Sequence, residues 1–190
     1  MPRSRPHIMT PADAIATYIA AKDCNRPLLV ARAFAGGARL TMHVQSDAVS
    51  FPAAVEGRDA ISHVLVGDFA TKYENVYTFC LARPAADDAV AFRCPWLVGM
   101  GTKADGTVRV GAGIYDWRFG RDGLVEELTI RIERMEVLPP ETLPAVMAWL
   151  TALDYPWCEV GAMHVAMPAL DGLAPVRDYL ASLEAVGRGA

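Results

Sequence analysis

A chain of 190 residues, 53% hydrophobic and 21% charged, has apolar material for one packed domain with an extension. A net charge of −4 without any lysine or arginine run excludes the electrostatic footprint of a nucleic-acid binder. No apolar stretch reaches the ~20 residues of a membrane span, and the start, MPRSRPHIMTPADA, lacks a signal-peptide core.

A cytoplasmic location is therefore expected, and the alanine- and arginine-rich, lysine-poor composition points to a bacterial source. Cys24, Cys80, Cys94 and Cys158 form no CxxC and no Cys/His pair at zinc spacing. They read as buried, reduced thiols, and no metal is expected. Neither a P-loop nor a dinucleotide glycine fingerprint occurs, so no cofactor is expected either.

Residues 1–9 read as a flexible amino terminus. Thr10-Pro11-Ala12-Asp13 then starts a helix, with Thr10 as cap, Pro11 in the first turn and Asp13 favoured by the helix dipole. Ile15, Tyr18 and Ile19 follow helical spacing. A second helix is expected from Asn25, with Leu29, Val30, Ala33 and Phe34 as its stripe and Gly36-Gly37 as its end. Leu40 to Val44 and Ala48 to Phe51 are short strand candidates. Gly57-Arg58-Asp59 leads into a helix with Ile61, Val64, Leu65 and Phe69 on one side, reaching about Lys72.

Strands follow at Val76 to Leu81, Ala89 to Met100, Thr107 to Phe119 and Leu124 to Val137. Asp105-Gly106 and Asp122-Gly123 mark the last two connections as hairpins. With two-residue loops, Phe92, Cys94 and Trp96 stand opposite Phe119, Trp117 and Tyr115. Trp117 and Tyr115 in turn stand opposite Leu128 and Ile130. Period two puts these on one face, and Arg93, Asp116, Arg118, Glu127, Thr129, Arg131 and Glu133 on the other. Gly99, Gly101, Gly111 and Gly113 allow the sheet to curve, and Pro95 predicts a bulge. Beyond Pro139-Pro140, helices are expected at about Thr142 to Leu153 and Ala174 to Val186.

The order of elements resembles the NTF2-like superfamily and, within it, the SnoaL-like proteins. Phe51-Pro52 followed by Gly57-Arg58-Asp59-Ala60-Ile61, and Tyr115-Asp116-Trp117-Arg118-Phe119 before Leu128-Thr129-Ile130-Arg131, carry the resemblance over roughly Thr10 to Val137. It implies an α+β fold: a cone-like, strongly curved antiparallel sheet wrapped around N-terminal helices. The domain would span 10–138, with a C-terminal helical extension, 139–190, packing on it. The resemblance also implies a pocket at the open end and makes a homodimer through the outer sheet face an expectation. Ketosteroid isomerases, which the chain resembles around Asp47 to Ile61, carry a catalytic carboxylate just before the proline. Here Phe51 stands there and cannot abstract a proton.

Fold alone does not decide between binding and catalysis. The first expectation is a protein binding a small, largely apolar or ring-bearing molecule, with a pocket built from Tyr18, His43, Phe51, Trp96, Tyr115, Trp117 and Ile130. The alternative is an acid–base enzyme of cyclase, dehydratase or isomerase type, with His43 or Asp116 as proton carrier. Each of these residues also has a plain reading: His43 as a half-exposed strand histidine, Asp116 with Arg131 as a surface ion pair, the aromatics as core. No nucleic-acid or membrane partner is expected.

Overall fold

A computed structural model describes residues 9–187. The expected flexible amino terminus lies outside that range except for Met9, as does His7. Helix α1 (Pro11–Asp23) begins as its sequence dictates: the Asp13 N–H donates to Thr10 Oγ1 at 3.1 Å, with Pro11 at the first position. Ala14, Ile15, Tyr18, Ile19, Ala21 and Lys22 form its buried side.

The second helical stretch is shorter than expected. A 3-10 turn (Pro27–Leu29) and α2 (Val30–Ala33) are followed at once by strand β1 (Phe34–Val44). Gly36-Gly37 therefore sits inside a strand and caps no helix. Its place is the stretch between Phe34 and Arg39 where the register against the neighbouring strand slips, an irregularity glycine tolerates. Ala48 to Phe51 is likewise no strand. Val49 is buried and Ala48 and Phe51 pack against the core, so these apolar residues plug the sheet's open end. The short β2 (Ala54–Glu56) comes after Pro52 instead and pairs with Arg39 to Thr41.

At Gly57 the chain turns with φ 88°, a conformation that favours glycine, and the Gly57 N–H donates to the Ala38 carbonyl at 2.8 Å. The helix that follows has three parts: α3 (Arg58–Ser62), a π-helical stretch (His63–Asp68) and α4 (Phe69–Lys72). Ile61, Leu65, Val66 and Phe69 are its buried residues.

Strands β3 (Tyr73–Cys80), β4 (Ala91–Thr102), β5 (Val108–Phe119) and β6 (Val125–Leu138) form the meander. The six strands lie in the order β2-β1-β6-β5-β4-β3. Every pairing is antiparallel except β1 with β6, which run parallel. The second hairpin has the expected register from Gly113 to Arg118, with Trp117 opposite Leu128 and Tyr115 opposite Ile130. The first hairpin is two residues away from the expected register: Phe92, Cys94 and Trp96 stand opposite Trp117, Tyr115 and Gly113. Its loop is longer than two residues because Asp105 accepts from the N–H and hydroxyl of Thr107 and holds a wider turn. A shift of two leaves every side chain on its predicted face.

Pro95 lies in register opposite Ile114. Irregularities fall instead in β3 between Glu74 and Tyr77, where Asn75 has φ 51°, and in the β5–β6 pairing between Ala112 and Gly113 and between Arg118 and Phe119. The one at Ala112 and Gly113 reshapes the interior. Residues 128, 130 and 132 face inward, and an unbroken period of two would send Arg134 after them. The bulge puts Met135 inside instead, opposite Gly111. Gly113 gives β5 and β6 their close approach, since a Cβ there would lie 1.8 Å from the Arg131 carbonyl oxygen.

The concave face carries the larger core: Trp96, Val98, Met100, Tyr115, Trp117, Leu128 and Ile130, packed on α1 and the Arg58–Lys72 helix. The convex face carries a second core. Helices α5 (Leu143–Thr151), α6 (Val160–Ala166) and α7 (Ala174–Gly187) bury Leu97, Val108, Val110 and Leu138 there. Helix α6 lies between the two expected C-terminal helices, where no helix was expected. Among the described residues no helix is long and apolar enough to cross a membrane.

Candidate functional site

The site is the inside of the cone. Tyr18 and Lys22 of α1 reach it from one side, Leu65 and Phe69 from another, and Trp96, Val98, Met100, Tyr115, Ile130, Ile132 and Met135 form the sheet wall. Met42 of β1 and Val49 and Phe51 of the following loop complete it. The free space is only about 50 Å³, room for a water or two. The aromatic residues fill the cone by packing on one another. Tyr18 meets Tyr115 and Trp117 edge-on with centroids at 6.4 and 5.6 Å, and Trp96 stacks on Tyr115 at 5.3 Å. A second hollow of about 170 Å³ adjoins on the outside, and Phe51 and Phe69 line both. Larger open grooves, such as one of about 1130 Å³ beside α1, lie outside the cone.

One polar constellation interrupts this apolar interior. Lys22 is 6% exposed, and its Nζ lies 2.6 Å from Asp23 Oδ1 and 2.7 Å from Thr78 Oγ1. It also sits 4.7 Å above the Phe69 ring. The Asp23 carboxylate, 1% exposed, accepts from the Thr78 N–H at 2.7 Å, the Thr78 hydroxyl at 2.9 Å and the Tyr155 hydroxyl at 3.0 Å. Every charge here is paired and hydrogen-bonded, the condition under which burial is tolerable.

Burial also sets the state of the other titratable groups inside. It pushes the Tyr18 phenol well above its ordinary range, helped by the negative charge of Asp23. Tyr115 is pushed up by burial and by its neighbour Tyr18. Burial raises the Cys80 thiol, and contact with the Cys94 thiol adds to it. At neutral pH these are protonated groups. The Trp96 and Trp117 indole N–H groups are buried without a hydrogen-bond partner.

The expected site residues divide. Tyr18, Phe51, Trp96, Tyr115 and Ile130 line the cavity. Trp117 is buried in the same core, packed between Tyr18, Tyr115 and Phe119. His43 is exposed on the convex face. It stands in register with Arg131, while Met42, in register with Ile130, takes the inward place. Asp116 also lies on the convex face, bonded to Arg93 at 2.8 Å and 3.4 Å from Arg131. Neither proton-carrier candidate reaches the cavity, because strand alternation turns both outward.

The convex face expected to form a dimer is divided as well. Helices α5 to α7 cover one part, and the Arg93–Asp116–Arg131 and Arg118–Glu127 pairs remain on the uncovered part. Cys24 is exposed, unlike the other three cysteines, and all four are free. Among the described residues no three His, Cys, Asp or Glu side chains cluster as metal ligands would.

Lys22, Asp23 and Thr78 escaped the sequence reading. A signal for Lys22 was present, for it continues the Ile15, Tyr18, Ile19 stripe by three to four residues, so a lysine occupied a core position. The partner Thr78 is distant in sequence and had no local signal.

Similarity to known proteins lies in the backbone. No family model matches the chain, and no curated protein matches it in sequence. A protein from Catenulispora acidiphila with a ketosteroid isomerase-like fold, solved with trimethylamine, is similar with TM-score 0.50 and 17% identity over 66% of this chain and 85% of that one. The fold is NTF2-like. A hexachlorocyclohexane dehydrochlorinase has a similar backbone, with TM-score 0.52 and 12% identity over 66% of this chain and 84% of that one. So does a computationally designed 17-OHP binder, with TM-score 0.50 and 13% identity over 68% and 99%.

Proposed function

We propose that the cone of this NTF2-like protein binds a small, largely apolar or ring-bearing molecule. The observation that carries the reading is the make-up of the cavity wall. Met42, Met100 and Met135 stand there beside Phe51 and Phe69, which divide the cavity from the outer hollow. Methionine is unbranched and changes rotamer at low cost. A site of about 50 Å³ with such walls admits a ring once they move, against the ~150 Å³ that holds benzene in a preformed cavity. Phe51 belongs to the loop between β1 and β2, the part of the wall with no strand ladder to hold it.

Titration with cyclohexanone, followed at the methionine ε-methyl resonances, tests this. Shifts at Met42, Met100 and Met135 are expected, and native mass spectrometry of untreated protein would then reveal the resident ligand. No shift at millimolar ketone refutes the reading. We also infer a homodimer through the uncovered charged strip of the convex face and a cytoplasmic location compatible with free thiols. A monomer mass at every concentration in sedimentation refutes the dimer.

A further inference from the structure

We propose that Lys22 anchors an acceptor oxygen of an uncharged ligand, so that the molecule taken by the cone is a neutral carbonyl compound; this rests on the reading of the cone as a binding site. An ammonium group has three N–H donors. Two of those of Lys22 are used, by Asp23 and Thr78, and the third has only the Phe69 ring. Trp96, another residue of the cavity wall, has a buried indole N–H without a partner. The two groups bonded to Nζ are engaged further: the Thr78 hydroxyl donates to Asp23, and Asp23 accepts from Thr78 and Tyr155. Lys22, Asp23, Thr78 and Trp96 thus leave two open donors, and a ligand that satisfies them brings an acceptor.

Charge decides which acceptor. Asp23, 2.6 Å from Nζ, already balances the ammonium, so the interior is neutral as it stands. A carboxylate would add an uncompensated buried charge. A hydrocarbon of the same shape would leave the donors unpaired. A ketone or another neutral carbonyl satisfies them and keeps the balance.

Three probes with the same six-membered ring test this: cyclohexanone, methylcyclohexane and cyclohexanecarboxylate. The wild type should prefer the ketone by about tenfold or more over both others. In the Lys22→Met, Asp23→Asn double variant, which removes the pair without leaving a lone charge, the ketone should lose that margin over methylcyclohexane. Cyclohexanone labelled with 13C at the carbonyl adds a direct readout: its resonance should move downfield in the wild type more than in the variant, and Trp96→Phe should reduce the shift further. Equal affinities for ketone and hydrocarbon in the wild type, or a preference that survives the double variant, would overturn the role of Lys22 while the cone remained a binding site. Tighter binding of the carboxylate would overturn the charge argument. No binding of any probe would overturn the binding reading and this proposal with it.

Discussion

Replacing Asp23 by asparagine keeps the shape of the side chain and removes its charge, leaving Lys22 a buried cation without a counter-ion. At 2.6 Å the gross attraction is about 6 kcal/mol with an effective dielectric constant near 20. Desolvation of both groups offsets much of this in the intact protein, but the offset does not vanish when one partner goes. Breaking a buried pair costs ~3–5 kcal/mol, equivalent to a fall in Tm of about 6–20 °C for a chain of this size. The amide that replaces the carboxylate has one acceptor oxygen: placed at Oδ2 it still accepts from the Thr78 N–H and the Tyr155 hydroxyl, while its NH2 meets Lys22 and the Thr78 hydroxyl, so the loss reports the charge together with the bonds at Oδ1. Urea unfolding followed by circular dichroism gives the number. Adding Lys22→Met should restore at least ~1 kcal/mol, because the lone cation is gone. A cost below ~1 kcal/mol for Asp23→Asn, or a double variant weaker than the sum of the singles, would refute the account of a neutral, mutually dependent pair.

Three further outcomes follow from other parts of the molecule. Gly113→Ala drives a Cβ against the Arg131 carbonyl and should cost more than ~2 kcal/mol in urea unfolding; a near-neutral change would mean that β5 and β6 separate easily. Tyr18 and Tyr115 keep their protons in the fold at a pH where the unfolded chain, titrating near its ordinary ~10, has lost them. Their folded values are raised, so their contribution is complete below pH ~10 and falls above it, by ~1.4 kcal/mol per pH unit for each phenol. Absorbance at 295 nm and circular dichroism read together should show these phenols ionising only as the fold is lost, and titration of all tyrosines near pH ~10 with the fold intact refutes the burial argument. Ending the chain at Leu138 uncovers Leu97, Val108 and Val110 and should give an aggregating, dye-binding product; a soluble monomer with native dichroism would show that the outer helices are dispensable.

The sequence made the sheet legible where one face was apolar and the other charged. Arg118 opposite Glu127 and Trp117 opposite Leu128 follow from the Asp122-Gly123 turn together with alternation, and Asp116 near Arg131 follows as their diagonal. Local chemistry misled in four places, one of them Pro95, which lies in register where a bulge was expected. Gly36-Gly37 looked like a helix end because glycine serves both caps and irregular strands. Val49 and Phe51 looked like strand residues, but their apolar character serves the mouth of the cone. Asp105-Gly106 suggested a two-residue turn until the Thr107 contacts widened it. The polar heart of the site was illegible for a different reason: Asp23, Thr78 and Tyr155 meet only through tertiary contacts spanning 55 and 132 positions in sequence. His43 and Asp116 drew attention as titratable residues near predicted pocket walls, yet a side chain's face is set by register, and theirs is convex.

Along β4 the sheet is a partition one residue thick between two compartments. Trp96, Val98 and Met100 belong to the cavity, while Leu97 and Gly99 belong to the layer under α5, where Leu150 lies so close to Gly99 that a Cβ there would meet it at 2.2 Å. A guest that pushes Val98 and Met100 apart therefore pushes on Leu150 through the same backbone, with no cushioning layer between. The outer helices are a stiff backing to the cavity wall on that side. Expansion is left to the flank without such a backing, where Phe51 and the loop between β1 and β2 close the mouth.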